Sequence, residues 1–86
     1  MSERIRIDKW LWHARFYKTR ALAQAAVSAG RIRRNEVRIE KPGADVKPGD
    51  ILTLARGGQI AVVRILACGL RRGPAKEAQE LYEVVE

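Results

Sequence analysis

The sequence predicts an α+β fold in which two N-terminal helices pack on a small antiparallel sheet and a short C-terminal helix follows. Three observations lead there. Apolar residues recur at helical spacing up to Gly30, within two segments bounded by capping residues. From Arg31 the period drops to two, and Pro-Gly and Gly-Gly signals then divide the chain into short strands. The chain has 86 residues, 47% of them hydrophobic, enough for one small core and too few for a second. We expect a single domain over residues 1–86 that folds alone and is not a disordered basic tail.

The first helix is expected over residues 8–17. Asp8 suits the N-cap and the positive end of the helix dipole, and Trp10, Leu11, Ala14 and Tyr17 share what should be the core face. Lys9, Trp12, His13 and Phe16 lie on the other side, so this helix is aromatic on two faces. The second set either packs against another part of the domain, such as the C-terminal segment, or offers a stacking surface for bases. The second helix has Thr19 as N-cap, an alanine-rich body from Ala21 to Ala29, and Gly30 at the position after the C-cap. A linker of at most two residues would make a tight corner and bring Lys18 and Arg20 close to the basic residues of the first helix. The alanines either let another element approach the backbone closely or simply supply helix propensity.

In the strand region, Ile32, Val37 and Ile39 alternate with Arg31, Arg33, Arg38 and Glu40 around a turn at Asn35-Glu36. Lys41-Pro42-Gly43 and Lys47-Pro48-Gly49-Asp50 are turn signals. Strands Ile51 to Leu54 and Ile60 to Leu66 should form a hairpin closed near Gly57-Gly58. Gly73-Pro74 can start the last helix, running from Ala75 to about Tyr82 with Ala78, Leu81 and Tyr82 inward.

Charge is the most informative functional feature. The chain carries 17 Lys and Arg against 10 Asp and Glu, a net +7 that calls for a polyanionic partner, nucleic acid or an anionic membrane. Residues 4–34 hold nine basic side chains (Arg4, Arg6, Lys9, Arg15, Lys18, Arg20, Arg31, Arg33 and Arg34) against Asp8 alone, an excess above that of the whole chain. Glu77, Glu80, Glu83 and Glu86 make the other end acidic. No apolar run reaches the roughly 20 residues of a membrane span, and no apolar signal core follows the N-terminal charges, so a cytoplasmic protein with no membrane partner is expected. One cysteine and one histidine leave no internal disulfide and no structural zinc site, and no metal or cofactor is expected. Cys68 should be a small buried apolar residue. His13 has no Ser or Cys partner at plausible spacing, so catalysis is not expected and the chain is not read as an enzyme.

Arg6-Ile7-Asp8-Lys9-Trp10-Leu11, then Lys18-Thr19-Arg20, Ala23, Val27, Gly30 and Asn35, closing with Pro48-Gly49-Asp50, resemble the RNA-binding domain named after small-subunit ribosomal protein S-four, the αL RNA-binding motif. The core motif covers about residues 4–54. Two longer segments, Trp10 to Arg20 and Arg71 to Ala78 with Leu81-Tyr82-Glu83, are similar to the heat-shock protein fifteen family. The resemblance implies two helices packed on a small antiparallel sheet. It also implies binding to ribosomal RNA of the large subunit, in rescue or recycling of stalled translation on subunits that still carry a nascent chain and its tRNA. The sequence departs from the superfamily at Asn35-Glu36, where Asn-Gly is usual, so a type I′ turn should be less favourable. Family members also continue into a basic C-terminal extension, whereas this sequence ends at Glu86, and contacts made by such a tail are not expected.

The expected RNA-binding residues are Arg6, Lys9, Arg15, Lys18, Thr19, Arg20, Arg31, Arg33 and Asn35. Arg6 and Lys9, with Arg15, Lys18, Thr19 and Arg20 around the corner, would neutralise phosphates beside the amides that open the second helix. Arg31, Arg33 and Asn35 would extend that surface along the first strand, with Arg forks suited to phosphates or base edges. Each arginine could instead serve as a plain surface charge or an internal pair with Asp8, Glu36 or Glu40. The partner is structured RNA, read largely by shape, with tRNA and DNA as further candidates and a monomer as the expected state. Alternatives are an RNA-targeting module of a modifying enzyme, for which the chain is short, and a basic adaptor for a protein or an anionic membrane.

Overall fold

The computed structural model describes residues 3–85; Glu86, the last of the acidic residues named above, lies outside them. The order is β1 (Ile5–Arg6), α1 (Ile7–His13), α2 (Arg20–Ser28), β2 (Ile32–Arg34), β3 (Val37–Ile39), β4 (Asp45–Val46), β5 (Ile51–Arg56), β6 (Gln59–Ile65), α3 (Ala75–Ala78), a 3-10 turn (Gln79–Leu81) and β7 (Tyr82–Val84). Five strands form an antiparallel sheet in the order β3-β2-β5-β6-β7, while β1 and β4 make a separate two-stranded ribbon. The expected α+β architecture is therefore present.

The core joins Ile7, Trp10 and Leu11 of α1 and Ala23 and Val27 of α2 to Ile32, Ile39, Leu52, Leu54, Val63 and Ile65 of the sheet. Strand alternation explains the selection: Ile32, Leu52 and Leu54 are buried while Arg33 is exposed, because successive side chains leave opposite faces. Buried Ala23 and Ala26 mark the close approach allowed by small side chains on α2.

Helix α2 follows its signals. The Leu22 amide donates to Thr19 Oγ1 at 3.1 Å, and at the other end the amides of Gly30 and Arg31 donate to the carbonyls of Val27 and Ala26, with Gly30 left-handed at φ +75°. Helix α1 departs from them. Its N-cap is Arg6, with no side-chain cap; the first amides, of Ile7 and Asp8, donate instead to the carbonyls of Ala44 and Pro42. It ends at His13, not Tyr17, because Arg15 turns left-handed at φ +63° and the amides of Arg15 and Phe16 close back on Trp12 and Leu11. A glycine usually marks that closure, and its absence lengthens the apparent helix. The interhelix connection is accordingly residues 14–19, not two residues.

Two further expectations need correction. Asn35 and Glu36 both have positive φ, 51° and 72°, as a type I′ turn requires, despite the missing glycine. The Asn35 side chain supplies the reason: its Oδ1 accepts from the Ile51 amide at 2.9 Å and its Nδ2 donates to Asp50 Oδ1 at 3.1 Å, so β5 holds the turn. The final helix is only four residues long, and Tyr82–Val84 form an edge strand on β6.

The C-terminal segment packs over Trp10 and over Phe16, which follows the end of α1. The Phe16 and Tyr82 rings lie 4.7 Å apart, Trp10 meets Tyr82 edge-on, and Trp10 Nε1 donates to the Ala67 carbonyl at 2.9 Å. Packing, not an open base-stacking face, accounts for Phe16 and His13, which is buried.

Candidate nucleic-acid interface

A fully buried Asp8 organises the basic end of the molecule. In the first turn of α1, its carboxylate accepts from Arg6 Nε and Nη2 at 3.2 and 3.1 Å, from Gln24 Nε2 at 3.0 Å and from the Lys9 amide at 2.8 Å. Arg20 Nε stands 3.5 Å away. Burial alone would raise the Asp8 pKa, but the bonds from Gln24, Arg6 and the Lys9 amide, with the Arg20 charge, outweigh it and hold the carboxyl below its ordinary value. Asp8 is thus an ionised post to which β1, α1 and α2 are tied, and not the N-cap expected from sequence. One buried charge holds two guanidinium groups whose side chains remain 50% and 38% exposed, so both stay open to an outside anion.

The other residues distribute around this post. Lys9 is exposed on α1, and its charge and that of Arg20 reach His13. Lys18 is exposed just before α2, and Thr19 serves as the α2 cap. Arg6, Lys9 and Arg20 therefore converge, with Lys18 at the adjoining helix start. Arg15 is exposed but has a structural tie: its Nε donates to the Gly73 carbonyl at 2.6 Å.

Strand β2 contributes differently. Arg33 leaves the sheet on the face away from the helices, opposite Arg38 on β3 and beside Thr53 on β5. Like charges directly opposed across a strand pair repel, and neither arginine has an ion-pair partner among the described residues. Arg31 borders Tyr17, Leu22 and Ala25 beside α2 as well as Ala55 and Ile60 of the sheet, so it bridges the two faces. Asn35 is spent on the turn and Asp50. The structure thus gathers Arg6, Lys9, Lys18, Thr19 and Arg20 at the helices, while Arg33 faces elsewhere and Asn35 is a latch.

Arg4 and Arg34, counted in the basic excess but not among the expected RNA-binding residues, and Lys47 line a concavity of about 350 Å³ with Asn35, Asp45 and Asp50. Arg34 donates to the Asp45 carbonyl and Lys47 pairs with Asp50 at 3.1 Å. Their signal was proximity to the turn residues, visible only once β4 lies beside β1.

Catalytic geometry is not built around His13. It is buried, its Nδ1 donates to the Cys68 carbonyl at 3.3 Å, and burial lowers its pKa; the carbonyl opposes that shift and the Lys9 and Arg20 charges add to it. Cys68 is buried too, and burial raises its thiol pKa. No helix among the described residues is long and apolar enough to cross a membrane.

Comparison with known proteins fits this arrangement. Residues 5–52 match the model of the S4 domain. Heat shock protein 15 of Escherichia coli is 46% identical over 92% of this chain and 59% of its own length, and the homolog from Haemophilus influenzae is 41% identical over 100% and 66%. This chain therefore spans about two thirds or less of those relatives. A protein of Listeria monocytogenes named RQC P-site tRNA stabilizing factor is 36% identical over 100% of this chain and 91% of its own. A solved structure of Vibrio cholerae heat shock protein 15, described as trimeric, superposes with a TM-score of 0.90 at 42% identity, covering 96% of this chain and 83% of that one. With its αL fold and the cations gathered on Asp8, the chain belongs to the S4 family of RNA-binding domains and, within it, to the heat shock protein 15 family.

Proposed function

We propose that the protein binds structured ribosomal RNA on the large ribosomal subunit and acts, without catalysing a reaction, in rescue or recycling of stalled translation in the cytoplasm, with tRNA as a second RNA contact. The observation that carries this reading is the Asp8 post, which fixes Arg6 and Arg20 side by side and leaves both half-exposed. Fixed guanidinium forks suit phosphates at defined spacing, whereas a membrane surface needs only diffuse charge. Lys9 and Lys18 flank the forks, and the amides at the start of α2 add a positive dipole end. Thr19 acts here through the cap. The name of the P-site tRNA stabilizing factor from Listeria monocytogenes supports the ribosomal setting. One copy per RNA site is the simplest stoichiometry, and sedimentation of the complex checks it against a trimer.

The test is binding to refolded large-subunit ribosomal RNA beside double-stranded DNA and anionic vesicles at matched salt. Ribosomal RNA should bind most tightly, and stronger attachment to vesicles would end this reading. Replacing Lys18 and Arg20 together by Ala should weaken RNA binding roughly ten-fold and lower the slope of log K against log salt by about 2, because each phosphate contact releases counterions. An unchanged slope would remove both residues from the interface.

A further inference from the structure

The segment between β6 and α3 has no place in the interface described so far, yet the fold spends many contacts on it. Leu70 at its tip is fully exposed, with Arg71 and Arg72 immediately after it. Exposure there does not come from slack. Trp10 Nε1 holds the Ala67 carbonyl, His13 Nδ1 the Cys68 carbonyl and Arg15 Nε the Gly73 carbonyl, so α1 and the turn after it grip the segment on both sides of the tip.

Two glycines bracket the tip, each for a physical reason. Gly69 is left-handed at φ +78°, and a Cβ there would stand 3.0 Å from Leu81 Cδ1. At Gly73 a Cβ would meet the Glu77 carboxylate at 2.4 Å, so a side chain there would displace the Glu77 end that pairs with Arg71 at 3.0 Å. Between those fixed points Arg72 lies over the Trp12 indole, 5.8 Å from the ring centroid. Among the described residues Arg72 makes no ion pair, and its buried Nε has no acceptor. A leucine held out in water next to two successive arginines gains nothing for the fold.

The segment is also continuous with the basic cluster. Trp12 and His13 belong to the same helix as Lys9, and Arg15, which leads into the α2 corner, is the residue that holds Gly73. We infer that the Gly69–Gly73 loop is a second RNA-contact element, in which Leu70 wedges against an unstacked base or an opened base step while Arg71 and Arg72 take the flanking phosphates. Apolar wedges beside cationic groups are a recurrent way to grip deformed nucleic acid, and the fixed backbone lets the wedge act without an ordering cost. The inference rests on the RNA reading above and adds to it a contact that is apolar, and therefore insensitive to salt.

That property separates the two. Binding of refolded large-subunit ribosomal RNA is measured over a salt series for the wild type, Leu70→Ser, Arg72→Gln and the Lys18, Arg20 double variant, with thermal unfolding of each as the folding control. Leu70→Ser should unfold as the wild type does, bind about five-fold or more weakly at every salt concentration, and keep the slope. Arg72→Gln should weaken binding and lower the slope by about 1. If Leu70→Ser binds as the wild type does while the double variant loses slope, the loop is not an RNA element, a protein partner becomes its better occupant, and the main reading survives. If the wild type itself shows no preference for RNA, both fall together.

Discussion

Asp8 and Asp50 are the two buried aspartates among the described residues, and both are held ionised by hydrogen bonds that overcome the cost of burial. Their partners differ. Asp50 accepts from Lys47 Nζ, the Lys47 amide and Asn35 Nδ2, all within the turn region at one end of the sheet. Asp8 accepts from side chains of β1 and α2 and leaves the two guanidinium groups it orients facing solvent. A buried carboxylate that binds donors already near it shapes a loop; one that draws cations from separate elements shapes a surface. The same chemistry therefore serves structure in one place and recognition in the other.

The largest expected effect separates them directly. Asp8→Ala should cost about 3 kcal/mol of stability, the low end for a broken buried pair because Arg6 and Arg20 can turn to water. It also raises the net charge by one, so diffuse electrostatics predicts tighter RNA binding, whereas loss of guanidinium positioning predicts weaker binding. We expect weaker binding. Asp50→Ala adds the same charge, should cost about 1–2 kcal/mol for its lost hydrogen bonds, and should leave RNA affinity at or slightly above the wild-type value. Urea unfolding with RNA titration checks both, and equal affinity of the two variants would erase the distinction between the aspartates.

Acid should reveal them in a second way. Both carboxyls titrate below the ordinary value of 3.8 in the folded protein, so the unfolded chain takes up protons first as pH falls beneath that value, and stability declines there. His13 acts higher: its pKa lies below 6.5 when folded, so the unfolded chain holds a proton that the folded chain refuses, and stability begins to fall once pH drops under 6.5. Melting temperatures across pH should therefore decline in two stages. His13→Asn, which keeps a donor for the Cys68 carbonyl, should flatten the upper stage only, and Asp8→Ala should shrink the lower one. A single decline unaffected by His13→Asn would remove the histidine from this account.

What the sequence disclosed, and what it hid, follows the range of the interactions. Helix α2 was legible because Thr19 and Gly30 act on their own neighbours, and so was the Gly57-Gly58 hairpin. The end of α1 was not, because Arg15 adopts a left-handed geometry that local preference assigns to glycine and is held there partly by the distant Gly73 carbonyl. Asp8 reads as a cap because its partners Gln24 and Arg20 become neighbours only after the helices fold together. Strand β7 hid behind a helical pattern since Leu81 and Tyr82 are inward in either conformation, and pairing with β6 decided the outcome. Of the candidate site, the basic cluster itself was readable; the turning of Arg33 to the far face of the sheet depends on strand register.

The smallest effect probes how Asp50 earns its structural role. Glu36 sits at φ 72°, where a side chain costs about 1 kcal/mol that glycine avoids, although glycine also loosens the unfolded chain. Glu36→Gly should therefore raise stability by about 0.5 kcal/mol, a shift in melting temperature of roughly 2–4 °C. The strained turn is held through Asn35, and Asn35 is held by Asp50 and the Ile51 amide. In the Asp50→Ala background the latch is weaker, the turn's own preference counts for more, and the gain from glycine should grow. A double-mutant cycle measures that coupling. Strict additivity would mean that Asp50 stabilises the Lys47 turn alone, with no part in keeping Asn35-Glu36 left-handed.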